Sequence, residues 1–292
     1  MKRSSPLPPR GCRVRVDRVK LIRKKGKRKI RYRPPVLPGF KVVSDWFVRQ
    51  RGRKYARVRR YKNLQTGTQV FVQYRPVDPW MAPMRATIIA NDQTGLQFKE
   101  LQEIECALKC DLIVLLELAF DFEESSVVDL GFVRRHALFG KSRPRPSVRP
   151  LEIAYYGGRL AAKLVRCYGK RNLGVFRVEL EFHRPCLKKY YITDSGNIWA
   201  RVDEMVERHL RFVRLDWDAL AAHLTHLGLS TRKIVRKARA RAQSLHGVLH
   251  FLRHDIGINN PHRFLRSLKI NRKVRRALNA WADSFTPPRR RF

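Results

Sequence analysis

Two hydrophobic patterns divide the chain. From about residue 40 to residue 202, short segments alternate apolar and polar positions, which is typical of β-strands with one buried face. Beyond about residue 203 the apolar positions recur every three or four residues, and a capping residue starts each segment, which predicts helices. We therefore expect an α+β fold, with an antiparallel-rich sheet domain followed by a helical region.

The alternating segments suggest an order of elements. KVVSDWFVRQ and YARVRRYKNLQTGTQVFVQYRP predict a small sheet with basic edges, and TIIAND, TGLQFKELQEIECALK and DLIVLLELAFDFEE predict strand, helix and strand. EIAYYGG, AKLVRCYGK and FRVELEFHR predict a meander joined by glycine-bearing turns. In the second part, STRKIVRKARARAQSLHGVLHFLRHD predicts one long helix.

Two predicted strands each have an apolar face and an acidic face. In LLELAFDFE one face holds Leu116, Leu118, Phe120 and Phe122, and the other holds Glu117, Ala119, Asp121 and Glu123. In RVELEFHR the apolar residues lie opposite Glu179 and Glu181. These acids either offset neighbouring Arg and Lys on half-solvated strands or form a site for a cation.

Charge then narrows the class of protein. The 64 Lys and Arg against 24 Asp and Glu give a formal charge of +40, which favours a polyanionic partner, with nucleic acid the first expectation. No run of about 18 apolar residues and no signal-peptide core is present, so we expect no membrane partner and a cytoplasmic, nucleoid- or plasmid-associated protein. The five cysteines have no CxxC pair, which argues against a zinc ribbon or a disulfide framework.

Basic residues concentrate at two places. Residues 1–75 hold 25 of them against two acids, so we interpret residues 1–39 as a flexible arm, before a sheet domain at 40–202 and a basic helical region at 203–292. The arm residues expected to contact nucleic acid are Arg23, Lys24, Lys25, Lys27, Arg28 and Lys29. Those expected in the helical region are Arg232, Lys233, Arg236, Lys237, Arg239 and Arg241.

Two interpretations of that helical region stay open. DWDALAAHLTHLGLSTRKIVRKARARA resembles a helix-turn-helix with LGLS as its turn, although the alanines lie further from Gly228 than usual. A helical bundle with a solvated basic face explains the same pattern. His246, His250 and His254 stack on one predicted helix face, but no carboxylate or cysteine completes a metal set.

The scarce carboxylates suggest a divalent metal. Hard cations such as Mg²⁺ or Mn²⁺ take oxygen ligands, and a chain with few acids places several on two strand faces. The ligands we predict are Asp121 and Glu179 first, then Glu117 and Glu181.

A tyrosine could use such a site. In KLVRCYGK, Tyr168 shares a strand face with Arg166 and Lys170, and it would lie near the carboxylates if this strand pairs with RVELEFHR through their polar faces. A tyrosine phenolate can attack a phosphodiester if cations or a metal lower its pKa from about 10. We therefore predict Tyr168, Arg166 and Lys170 as catalytic residues.

GGRLAAKLVRCYGK, RVELEF and the upstream LIVLLELAFDFEE together resemble the replication initiation factor family of plasmid and filamentous-phage rolling-circle initiators. The resemblance spans roughly residues 85–185, and its motifs are short. It implies a replication-initiator type of sheet, with Tyr168 as the nucleophile that nicks one DNA strand and keeps the 5′ phosphate. Asp121 and Glu179 would match the metal-site acids. Cys167 and Gly169 flank the tyrosine where the family usually has an aliphatic and a polar residue, which puts catalysis in question.

Two functional hypotheses follow. The first is a metal- and tyrosine-dependent nickase that initiates rolling-circle replication at a double- or single-stranded DNA origin, with the C-terminal helices serving origin recognition or homodimer formation. The second is a nonenzymatic basic DNA- or RNA-binding protein of a mobile element, in which Tyr168 and the acids are structural. The test between them is whether Tyr168, Asp121 and Glu179 converge on one cavity, and a Tyr168 on the opposite face of the sheet would exclude the nickase.

Overall fold

In the computed structural model of the chain, residues 11–23, 33–49, 52–123, 127–140, 144–145, 152–157 and 161–283 are described. Ten strands form one sheet, in the order β2-β3-β4-β5-β1-β6-β11-β10-β9-β8. They are β1 (Cys12–Arg23), β2 (Phe40–Phe47), β3 (Tyr55–Asn63), β4 (Gln69–Pro76), β5 (Met84–Ile89), β6 (Leu112–Glu123), β8 (Pro144–Arg145), β9 (Ile153–Tyr156), β10 (Lys163–Lys170) and β11 (Val175–His183). All their pairings are antiparallel.

A second, three-stranded sheet and eight helices complete the described secondary structure, together with short 3₁₀ and π turns. The small sheet has the order β13-β12-β7, from β7 (Ala137–Leu138), β12 (Arg211–Leu215) and β13 (Leu265–Ser267). The helices are α1 (Phe98–Leu108), α2 (Leu130–His136), α3 (Arg184–Lys189), α4 (Ser195–His209), α5 (Trp217–His226), α6 (Thr231–Ala240), α7 (Leu245–His250) and α8 (Ile270–Asp283). The mixture confirms the α+β class.

The main core lies under one face of the large sheet. Leu116, Leu118, Phe120 and Phe122 of β6 are fully buried, as the alternation predicts, and they belong to a cluster with residues of α1, α3, α4 and α8. Helix α4 begins at Asp194, whose carboxylate accepts a hydrogen bond from the Asn197 N–H while the Asn197 side chain accepts one from the Asp194 N–H. Because these helices cover the apolar face, the acidic strand positions lie on the other face.

The helical region does not form a unit apart from the sheet domain, although the predicted boundary implies one. The expected boundary between residues 202 and 203 falls inside α4, which packs into the sheet core, and α8 does the same. A second, smaller core joins α5, α6 and α7 through residues such as Leu220, Ile234 and Phe251. The predicted long helix is interrupted after α6, because residues 241–243 turn before Ser244 caps α7.

The predicted arm is the largest correction to the domain boundaries. Residues 12–23 form β1, a strand inside the large sheet with β5 on one side and β6 on the other. Its residues Val14, Val16, Val19 and Leu21 are buried. The high charge of this segment obscured a strand pattern, since the basic residues occupy the positions between these apolar ones.

None of the helices in the described part of the chain combines the length and the apolarity that are needed to cross a lipid bilayer.

Candidate active site on the polar face of the sheet

The pairing of β10 with β11 places Tyr168 among carboxylates. Arg166 lies opposite Glu179 and Tyr168 opposite Arg177, so the polar faces of the two strands coincide. The Tyr168 hydroxyl donates a hydrogen bond to Glu179 Oε1 at 2.5 Å. Tyr168 therefore does not lie on the opposite face of the sheet from Glu179, which is the arrangement that would exclude the nickase.

Three carboxylates beside Tyr168 form a compact cluster, which we call the acidic cluster. Glu179 comes from β11, Glu117 from β6 and Asp17 from β1, and one oxygen of each lies within 4.8 Å of the others. The register of β1 against β6 shifts between Val16 and Arg18, and Asp17 is the additional residue at this bulge. The bulge lets a strand with mainly basic side chains present a carboxylate at this point.

Arginines surround the acidic cluster. The Arg166 guanidinium lies 2.8 Å from oxygens of both Glu117 and Glu179, and Arg18 contacts Glu117 and Glu181. Glu117 and Glu179 are each only 4% exposed, so burial of their charge requires these partners. On this face of the sheet the carboxylates are buried, and the arginines that pair with them are partly exposed to solvent.

A second group of ion pairs adjoins the first. The Arg177 side chain is fully buried, and its Nε and its second terminal nitrogen donate to the two oxygens of Asp121 at 2.6 and 3.0 Å. Arg177 also donates to Asp17 at 2.7 Å, and Arg15 is a second cation in contact with Asp121. The carboxylate of Asp92, in the loop after β5, accepts hydrogen bonds from Lys170 and, at 3.5 Å, from Arg177.

Two buried oxygens of the acidic cluster have no hydrogen-bond donor among the described residues. They are Asp17 Oδ1 and Glu179 Oε2. Arg166 Nε lies 2.8 Å from Glu179 Oε2, but its N–H is not directed at that oxygen, so the contact is a charge pair without a hydrogen bond. Such acceptors suit an oxygen-liganded divalent cation, so Asp17, Glu117 and Glu179 could hold one.

The four predicted ligands divide into two pairs. Glu117 and Glu179 belong to the acidic cluster, as expected. Asp121 instead forms a bidentate pair with Arg177, and Glu181 pairs with Arg18, with the His183 Nε2 atom 2.9 Å from its other oxygen. Asp17 takes the place that the sequence assigned to Asp121.

The charges around Tyr168 do not act on its pKa as predicted. Burial, followed by the negative charge and hydrogen bond of Glu179, raises the pKa of the Tyr168 phenol. Arg166 is committed to two carboxylates and Lys170 to Asp92, which leaves the expected pKa-lowering effect too weak. Burial likewise raises the pKa of Glu117 to about 7, despite Arg166 and Arg18.

The predicted nucleic-acid contacts fall into three sets. Arg23 is the last residue of β1, while Lys24, Lys25, Lys27, Arg28 and Lys29 lie outside the described residues. The exposed basic side chains of α6 are Arg232, Lys233, Arg236, Lys237 and Arg239. Arg241 follows the helix, and its guanidinium lies 4.4 Å from the centre of the Phe251 ring.

Sequence reasoning missed Asp17, Asp92 and the arginines that hold the acids. Asp17 did carry a usable signal, because it is one of only two acids in the first 75 residues. The other, Asp45, pairs with Arg57 and Arg59 and accepts a hydrogen bond from the Tyr74 hydroxyl. In a chain this basic, each isolated acid in a strand marks an ion pair.

No protein-family model matches the chain, and no curated protein matches it. The fold and site thus define a class by chemistry alone: a basic α+β protein with a tyrosine beside a buried carboxylate cluster.

Proposed function

We propose that this protein binds DNA and cleaves one strand through Tyr168, as an initiator of rolling-circle replication on a mobile element. The observation that carries the proposal is the 2.5 Å hydrogen bond from the Tyr168 hydroxyl to Glu179, a member of the acidic cluster. A nucleophile in contact with a base that is itself held by other groups is the arrangement that covalent catalysis requires.

The proposed reaction forms one bond to phosphorus and breaks another. The Tyr168 oxygen attacks the phosphorus, its proton passes to Glu179, and the bond from phosphorus to the 3′ oxygen breaks. The products are a 5′-phosphotyrosyl strand and a 3′ hydroxyl, whose proton comes from solvent. Arg166, beside both Glu179 and Glu117, is placed to stabilise charge on the phosphoryl oxygens.

A divalent metal fits this proposal. Mg²⁺ or Mn²⁺ held by Asp17, Glu117 and Glu179 would supply positive charge that favours the phenolate and polarises the phosphoryl group. The raised pKa of the Tyr168 phenol supports a need for such charge. The unpartnered oxygens of Asp17 and Glu179 support these residues as its ligands.

DNA is the partner that the charge distribution favours. The formal charge of +40 supports strong binding to a polyanion, and the five exposed basic residues of α6 offer contacts to phosphates. These contacts would hold the duplex or the single strand without reading its bases.

The test is a search for a covalent adduct. We would incubate the full-length protein with supercoiled or single-stranded DNA and Mn²⁺ or Mg²⁺, and detect protein bound to DNA on a denaturing gel. We expect a metal-dependent adduct in the wild type and in Tyr155→Phe, whose tyrosine lies opposite Arg166 on the neighbouring strand, and none in Tyr168→Phe. An adduct that survives in Tyr168→Phe would show that another residue is the nucleophile.

A second candidate is a nonenzymatic DNA- or RNA-binding protein. The pairing of Asp121, Glu117 and Glu179 with arginines favours it, because such pairs can stabilise a polar sheet face without any catalysis. Tight DNA or RNA binding, with no adduct under any metal condition, would support this candidate over the nickase.

A further inference from the structure

A cleft of about 530 Å³ opens between the strands β12 and β13 and the helices α2, α5, α6 and α7. None of the residues that line it belongs to the acidic cluster or its arginine partners. β12 lies on the core side of the large sheet, since its Phe212 packs against Phe122 with ring centres 5.9 Å apart. The cleft is therefore a different surface from the polar face that carries Tyr168.

One side of the cleft can receive a flat apolar group. Leu215, Ala242, Leu245 and Val248 contribute apolar surface, and the half-buried Trp217 adds an indole ring. The Arg239 guanidinium carbon lies 5.4 Å from the Trp217 ring centre. An aromatic ring beside an arginine is a platform on which nucleic-acid bases stack.

The rim of the cleft is positively charged. Arg135, Arg214 and Arg239 are exposed, and none of them forms an ion pair within the described ranges. Arg266 contributes no free charge, because it is paired with Asp216, which also accepts the N–H of Ala219 at the start of α5. Three guanidiniums without an ion-pair partner among the described residues, one of them lying over the Trp217 ring, thus share the cleft with the exposed carboxylate of Asp218.

We propose that this cleft binds a nucleotide, with its base against Trp217 and the apolar residues and its phosphate held by Arg135, Arg214 and Arg239. Phosphate oxygens match the planar donors of arginine, and the volume lies within the range of about 300–1,000 Å³ that small-molecule sites occupy. The exposed Asp218 offers an acceptor for an amino group of the base or a sugar hydroxyl. This proposal does not depend on the nickase.

The nucleotide could come from two sources with the same chemistry. It could be a free nucleoside phosphate or one residue of a nucleic-acid strand. A strand has a path to the cleft, because Arg232, Arg236 and Arg239 follow one another along one side of α6, and Arg239 lines the cleft. The experiment must therefore include both forms.

The experiment is titration calorimetry of the full-length protein with AMP, inorganic phosphate and a 5′-phosphorylated oligonucleotide. The cleft variant is Arg214→Gln with Arg239→Gln, and the matched control is Arg272→Gln with Arg276→Gln, two exposed arginines of α8. We expect the cleft variant to weaken binding about tenfold or more, as loss of charge-assisted hydrogen bonds predicts, and the control to weaken it less than about twofold.

The indole is tested separately. Trp217→Leu should weaken AMP or oligonucleotide binding and leave phosphate binding unchanged, while Trp217→Phe should restore part of the loss because it keeps a ring. Melting temperatures of each variant establish that it is folded. AMP binding identifies a free nucleotide as ligand, and binding of the oligonucleotide alone identifies a strand.

Three results would overturn the proposal. One is an equal loss of affinity in the cleft variant and the α8 control, which would mean general attraction to a basic protein. Another is that neither AMP nor the oligonucleotide shows saturable binding. The third is that folded Trp217→Leu leaves unchanged the affinity for whichever of the two binds.

Discussion

The Arg177 guanidinium is the most completely buried charge that the polar face contains. It is 0% exposed and uses three nitrogens on Asp121 and Asp17. A buried charge of this kind is stable only with its partners, so each of these residues requires the others. Asp17 belongs to the acidic cluster and Asp121 does not. Arg177 binds both, and it thereby connects the two groups of ion pairs.

Removing this guanidinium should strongly destabilise the fold. We expect Arg177→Met to lower the free energy of unfolding in urea by about 3–5 kcal/mol, because the buried Asp121 and the half-buried Asp17 lose the cation that they share most closely. Arg184→Met, which removes an exposed arginine at the start of α3, should change it by less than about 0.5 kcal/mol.

A double variant measures how much of this stability comes from the interaction between Asp121 and Arg177 themselves. Asp121→Asn combined with Arg177→Met should cost less than the sum of the two single changes, because neither charge is then left alone. Strictly additive losses would mean that the two side chains stabilise the sheet independently of each other.

At the scale of elements, the loop after β5 passes very close to strand β1. Gly95 has φ +70°, and a Cβ at that position would lie 2.8 Å from the Arg15 Cβ. Gly95 N and Leu96 N donate to Asn91 and Val16, so the loop is also fixed by backbone hydrogen bonds. This loop carries Asp92 to Arg15, Lys170 and Arg177.

Replacing this glycine should therefore cost more than backbone strain alone. Gly257 has a similar φ of +80° but nothing within 4 Å of an added Cβ, which makes Gly257→Ala the matched control. We expect about 1 kcal/mol for Gly257→Ala and about 1–3 kcal/mol more for Gly95→Ala, measured by urea unfolding. Equal losses would show that the loop moves to accept the methyl group.

Helix α6 shows how a basic segment can be folded and still expose its charged side chains for binding. Ile234 and Ala238 pack into the smaller core, while its basic side chains point outward. The amphipathic spacing holds these charges on a fixed surface, unlike charges on a tail.

The contribution of this surface to binding can be read from salt dependence. Arg232→Gln with Arg236→Gln should reduce the slope of log K against log salt on duplex DNA by roughly two, if both contact phosphates. The α8 pair Arg272→Gln with Arg276→Gln should leave the slope closer to the wild-type value. Equal slopes for all three proteins would exclude α6 from the duplex interface.

For the whole molecule, the scarce acids are gathered rather than dispersed. Six of the 24 Asp and Glu, namely Asp17, Asp92, Glu117, Asp121, Glu179 and Glu181, lie in the ion-pair groups of one sheet face. The remaining surface is correspondingly more basic, which favours a polyanion around a nearly neutral site.

Stability of the whole fold should also depend on pH through the apolar side of the sheet. His209 lies 3.0 Å from the amine of the buried Lys163, and burial followed by Lys163 lowers the pKa of His209 to about 4. Below pH 6.5 the unfolded chain takes up a proton there that the folded protein does not, so stability is full above about 6.5 and falls towards pH 4.

This pH effect can be measured against a variant. Between pH 6.5 and 4, His209→Gln should lose about 1–2 kcal/mol less stability than the wild type, after allowance for partial solvent screening. His226→Gln, on an exposed part of α5, controls for the loss of one imidazole. Parallel curves for wild type and His209→Gln would contradict this account.

The sequence by itself determined the α+β class, the strands β6, β10 and β11, and the faces on which Phe120, Tyr168 and Glu179 lie. This was possible because alternation along a strand is local geometry and needs no knowledge of the neighbour. Only the tertiary structure decided that β1 is an inner strand and that Asp17 joins Glu117 and Glu179, residues about a hundred or more positions away. It also decided that arginines take Asp121 and Glu181, because strand pairing and register depend on packing between distant segments.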